Sequence, residues 1–291
     1  LSLAREEPGP EVIAYWGELG GVEAARALGA AGAGGDLFMD GSIGSHTANV
    51  RCGYVDKKTC GELYLDVAGT VAHIVACIDA GVPAGFHAIG DNALGVLINE
   101  CYDEARRAMG ERWPAVTGHR VEHAEMVDDQ LVARMADLGM VASVQPAFDA
   151  AWGGEDGMYA QRLGRERALA MNPFAAMHAA GVVLAFGSDS PVTPLDPWGT
   201  VAAAVHHRTP GSGISPDHAF TAHTQGGWQA AGRTGEGVIA VGVPATFAVW
   251  SADSLEPGAR LPDLSVGVDP PTCLRTVVRG VPIHDLEGAL R

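Results

Sequence analysis

Short apolar runs, each ending in polar or small residues and each followed by a helical pattern, recur through the middle of this chain. That alternation restricts the fold to βα units around a parallel sheet. The candidate strands are Asp36–Met39, Pro83–His87, His119–His123, Met140–Val144 and Val182–Phe186. Between them the spacing predicts helices over Thr70–Ala80, Asn92–Met109, Asp128–Leu138 and Pro173–Ala179, with Gly139 and Gly181 where C-terminal caps belong. Ahead of the first strand, Val12, Ile13, Trp16 and Leu19 follow a 3–4 spacing that reads as a helix over Glu11–Ala30. From about Thr234 the texture changes to Gly-rich short strands, Ala245–Trp250, then Leu274–Val278 and Val281–Ile283, an antiparallel appendage.

With 47% hydrophobic and 19% charged residues, the 291-residue chain has the balance of a folded protein. Its formal charge of −16 argues against nucleic acid or an anionic membrane as partner, because such ligands call for clustered Lys and Arg. A small-molecule substrate fits better. The five cysteines are odd in number and form no CxxC pair, so neither a disulfide framework nor a zinc knuckle is suggested and a reducing cytoplasm is expected. No run approaches the roughly 18 apolar residues of a membrane span, and the start carries no signal-peptide pattern. It also lacks an initiator Met, which reads as a chain that begins in mid-protein.

In a βα barrel, chemistry sits where strands run into loops at their C-terminal ends. The polar residues there are Asp40, His87, His123, Gln145 and Asp189. Read singly, a strand-end histidine is more often a structural hydrogen-bonder, and Asp189 in Gly187-Ser188-Asp189-Ser190-Pro191 could merely cap a turn. Taken in order, two strand-end histidines and then a strand-end aspartate are metal-ligand types in metal-ligand places. His119 shares the parity of His123 but starts its strand, so it is assigned a structural role.

These elements, with Asp36-Leu37-Phe38-Met39-Asp40-Gly41-Ser42, Val144-Gln145-Pro146 and Leu163-Gly164-Arg165-Glu166-Arg167, resemble the amidohydrolase superfamily. The likeness is to amidohydrolase family 3, with its N-substituted formamide deformylase-like members. It extends through Pro191–Pro197 and through Gly237–Trp250, which is similar to returning strands of that family's small β-sandwich. The resemblance implies a (β/α)8 TIM barrel, here lacking about the first three strands, over residues 1–233, and the C-terminal strands of the β-sandwich over 234–291. It further implies that His87 and His123 are metal ligands of strands five and six. Asp189 becomes the strand-eight aspartate, which touches the metal and handles the proton of the nucleophilic water.

Two departures from the family pattern stand out. No His-x-His occurs, although the family carries one on its first strand. At strand four the family's usual lysine aligns with Asp36, and the only lysines are Lys57 and Lys58, so a carboxylated lysine bridge is excluded. Asp36 offers the same oxygen donor type with less reach. Gln145, Arg51, Arg167 and Arg208 fall in or near loops expected to face the site, where Gln145, Arg167 and Arg208 are candidate substrate binders. The expectation is therefore a hydrolase of amide-type carbon–nitrogen bonds using a divalent metal, zinc by donor type with manganese or iron as alternatives. The alternative is a catalytically inactive remnant acting as a structural or binding subunit. Taken alone, such a chain would leave the strand-four edge unpaired, which favours a homo-oligomer.

Overall fold

A computed structural model describes residues 9–114, 118–251, 255 and 259–286. Its main sheet has six strands in strict chain order: β1 (Tyr15–Trp16), β2 (Gly32–Phe38), β3 (Ala84–Ala88), β4 (Arg120–His123), β5 (Val141–Val144) and β6 (Val183–Phe186). Every neighbouring pair is parallel. A parallel sheet in which each βα unit adds the next neighbour is the winding of a barrel rather than of a doubly wound sheet. Among the described residues β1 and β6 are its edges. A separate antiparallel sheet follows, made of β7 (Phe247–Trp250), β8 (Cys273–Val278) and β9 (Val281–Asp285). No helix among the described residues is long and apolar enough to cross a membrane.

The helices lie close to their expected places and are closed by ordinary caps. Val67–Ala80 starts at Asp66, whose side chain accepts from the Gly69 N–H, and ends at Gly81 in the left-handed conformation. Asp129–Asp137 starts in the same way, with the Asp128 side chain accepting from the Leu131 N–H. Gly139 and Gly181 take the positive φ angles that C-caps require, 62° and 82°.

Register divides the strands into two faces. Phe86, Val121, Ala142, Val144 and Leu184 join Ile74, Leu97, Met135 and Met177 in one buried apolar core under the helices. On the other face Gly85 pairs with Arg120 and then Val141, while His87 pairs with Glu122 and then Ser143. That face is polar where it meets the strand ends, with Arg120 ion-paired to Glu122 at 2.5 Å and laid over the Tyr15 ring at 4.1 Å.

The N-terminal part departs from the sequence reading. Glu11–Ala30 is not one helix: β1 occupies Tyr15–Trp16, and the helix is confined to Val22–Leu28. Gly17, Gly20 and Gly21 explain the break, since glycine is among the poorest helix formers. The spacing that suggested a helix also contains a strand period, and Ile13, Tyr15 and Gly17 line one cavity. β1 pairs with β2 at Tyr15–Gly32 and Trp16–Ala33, so the strand-four edge is covered there rather than unpaired.

β2 also begins four residues before the expected Asp36, in a run of small residues that carries no strand signal. Its register against β3 shifts between Gly34 and Leu37, and Gly34 and Gly35 sit at φ of 99° and 98°. A Cβ at Gly34 would lie 2.3 Å from the Gly85 carbonyl oxygen. Gly34→Ala is therefore expected to lower unfolding stability by about 2–4 kcal/mol, read from urea midpoints, from backbone strain plus overpacking. An unchanged midpoint would show that the bulge is not needed to seat β2 on β3.

Candidate functional site

The site is built where β3 to β6 end. His87 is the fourth residue of a strand that is buried throughout. Its Nε2 lies 3.1 Å from the Gly41 carbonyl oxygen, and the Phe38 ring sits 4.5 Å away.

His123 closes β4, and period-two alternation alone would keep it away from His87. In the register His87 pairs with Glu122, while His123 pairs with Ala88 on the opposite face. The alternation fails because His123 has a φ of 73° and Ala124 one of 47°, both left-handed. Such angles cost L-residues roughly 1–2 kcal/mol each, and they mark positions where the surrounding structure over-determines the backbone. The two imidazoles end with centroids 4.5 Å apart at 72°. His123 Nδ1 lies 2.8 Å from Gln145 Oε1, and the Phe148 ring stacks on it at 5.8 Å and 14°.

Asp189 follows β6 on an exposed turn, also left-handed, with φ 52°. It shares a cavity of about 400 Å³ with His123, Gln145, Glu122, Arg120 and Tyr15. The structure thus brings His87, His123 and Gln145 into contact and sets Asp189 on the same cavity.

It does not bring in the arginines. Arg167 donates to the carbonyls of Leu163 at 2.8 Å and Gly53 at 2.9 Å, and also to that of Cys52, tying down the loop after β2. Arg208 is spent on the Ala150 carbonyl at 2.8 Å, and Arg51 reaches Asp128 at 3.4 Å. None of the three is among the residues lining the cavity. The Asp36 side chain, the fourth candidate ligand, lies outside the described residues. His119 is buried with its Nδ1 3.0 Å from the Tyr102 hydroxyl, and burial pushes its pKa down to about 3, as suits a structural imidazole.

Two carboxylates escaped the sequence reading as parts of the site. Asp40 is fully buried, and its oxygens accept from the backbone N–H groups of Asn49 at 2.7 Å, Gly90 at 2.8 Å and Ile89 at 3.0 Å. Burial raises its pKa to about 6 against those three donors, and Oδ1 stands 3.8 Å from His87 Nε2. Its only signal in the sequence was its place at a strand end. Glu125, two residues past His123, is buried beside Tyr159 and Asn172, and burial pushes its pKa up to about 7. Nothing in the local pattern distinguished it.

The donor types suit a divalent metal, since imidazole nitrogen is a first-choice ligand for zinc. Two such donors converge, but among the described residues no three His, Cys, Asp or Glu side chains form a cluster able to hold an ion. The fit is that of a partial site.

Comparison with known proteins places this geometry in context. The family model described as "Amidohydrolase family" matches residues 11–284. The protein LONG AFTER FAR-RED 3 of Arabidopsis thaliana is 31% identical over 201 residues, covering 68% of this chain and 31% of that protein. An N-substituted formamide deformylase of Arthrobacter pascens is 29% identical over 218 residues, 72% of this chain and 38% of the enzyme. The crystal structure of an uncharacterized metal-dependent hydrolase from Pyrococcus furiosus superposes with a TM-score of 0.71 at 28% identity, over 84% of this chain and 51% of the other. The chain therefore spans about a third of the length of these two curated relatives.

Proposed function

The chain belongs to the amidohydrolase family, and from that premise we propose that it serves a metal-dependent hydrolase cleaving a non-peptide carbon–nitrogen bond of a small amide-type molecule. One observation carries the reading: the backbone leaves the strand conformation at His123, at a cost in energy, to set its ring against that of His87. The Gln145 hydrogen bond and the Phe148 ring hold His123 in that conformation, and a shared ligand accounts for two imidazoles being brought together there. The likeness to a formamide deformylase supports N-substituted formamides as the first substrates to try.

His87 and His123 would hold the metal, zinc by donor type with manganese or iron as alternatives, and its remaining donors would come from outside the described residues. When bound, such an ion polarises a carbonyl and lowers the pKa of water towards about 7. The Asp189 carboxylate, exposed on the cavity rim, takes the proton of the attacking water and delivers it to the leaving amine nitrogen. Bulky groups of the substrate would lie in the cavity over Tyr15 and the Arg120–Glu122 pair.

Asp189→Asn tests this reading. Hydrolysis of N-substituted formamides by the zinc-loaded protein is expected to fall by about 10²–10⁴ in kcat, the usual worth of a general acid–base group. Turnover at the wild-type rate would remove Asp189 from the chemistry. Failure of the wild type to cleave any N-acyl amine, with zinc retained, would favour a binding or structural role instead.

A further inference from the structure

Two neutral acceptors face different ring nitrogens of the paired histidines. The Gly41 carbonyl oxygen can only accept, so the His87 Nε2 facing it carries a proton. The Gln145 Oε1 facing His123 Nδ1 is likewise an acceptor, which puts a proton on Nδ1. The amide is not reversed, because its nitrogen lies on the side of another acceptor, the Ser143 carbonyl oxygen, at 3.4 Å. Gln145 is itself well placed to be rigid: it is buried, directly follows β5 and serves as N-cap of the helix Pro146–Trp152. Phe148, in the first turn of that helix, holds the face of the same ring.

We propose that Gln145 is a positioning residue rather than a substrate binder: it selects the Nδ1–H tautomer of His123 and, with Phe148 against the ring, makes Nε2 the nitrogen that would ligate a metal. The proposal rests on the metal-site reading above and deepens it. Partners of this kind set both the orientation and the basicity of a ligating imidazole. A neutral amide does the first without adding negative charge, so a carboxylate in its place should tighten binding and an aliphatic side chain should weaken it.

The experiment uses the whole chain with histidine-specific ¹⁵N labelling. Long-range ¹H–¹⁵N spectra of the metal-free protein are recorded for the wild type, Gln145→Leu and Gln145→Glu, with His123→Ala to assign the resonance, followed by titration with Zn²⁺ alone. The wild type and Gln145→Glu are expected to show His123 as the Nδ1–H form. Gln145→Leu should shift it towards the other tautomer and bind zinc about 10–100-fold more weakly, while Gln145→Glu binds at least as tightly as the wild type. An unchanged His119 pattern verifies that the variants are folded. A His123 that stays Nδ1–H in Gln145→Leu would overturn the proposal, as would zinc affinities equal in all three proteins. A tautomer that depends on Gln145 in a wild type that binds no zinc would keep the positioning role and reject the metal reading instead.

Discussion

Alanine at both His87 and His123 is expected to leave the purified protein with no zinc above background after metal loading and gel filtration, measured by plasma mass spectrometry. The two rings converge at the strand ends, and no three-ligand cluster exists among the described residues to replace them. Each single replacement should cost more affinity than the roughly 10–100-fold lost with a supporting contact, because it removes a donor outright. Since both rings are buried, an unfolded double variant would mislead. His123→Asn combined with His87→Asn guards against this, as asparagine tolerates the left-handed backbone at position 123. Stoichiometric zinc in either double variant would show that any metal sits somewhere other than at these histidines.

Asp40→Ala is expected to lower unfolding stability by roughly 3 kcal/mol at neutral pH. It leaves the buried N–H groups of Asn49, Ile89 and Gly90 without their acceptor, and an orphaned donor costs about 1–3 kcal/mol. The pH dependence has a definite sign. Burial raises the pKa of Asp40 from 3.8 to about 6, so the folded protein holds this proton more tightly than the unfolded chain does. The stability gained that way is complete below about pH 4 and is lost as pH rises through about 6. Urea midpoints of wild type and variant should therefore differ most near pH 4 and converge, without meeting, towards pH 7. A gap that widens with rising pH would mean that the ionised carboxylate is the favoured form in the fold.

What was legible in the sequence was what depends on neighbours along the chain. An apolar run that stops at a polar residue ends a strand whatever lies across from it, and that pattern alone puts His87, His123, Gln145 and Asp189 at strand ends. The C-caps at Gly139 and Gly181 are local in the same sense. The failures concern partners distant in sequence. Gly34 must be glycine because of Gly85, fifty-one positions on, and no local pattern encodes that approach. Arg167 and Arg208 are candidate substrate binders by their place in the sequence, and the carbonyl partners that hold them at Gly53 and Ala150 lie on other segments. Alternation placed Glu122 and His123 on opposite faces correctly as a rule, but the rule could not foresee that His123 would leave the strand conformation to meet His87.

The left-handed backbone at His123, Ala124 and Asp189 also bears on how this protein can evolve. Glycine relieves such angles, and asparagine does so in part, so a library selected for heat resistance alone would be drawn to the rim that carries the chemistry and would enrich residues unable to perform it. Thermal robustness and turnover thus compete for the same few codons, and a sturdier variant has to draw its gains from helices and loops remote from those strand ends.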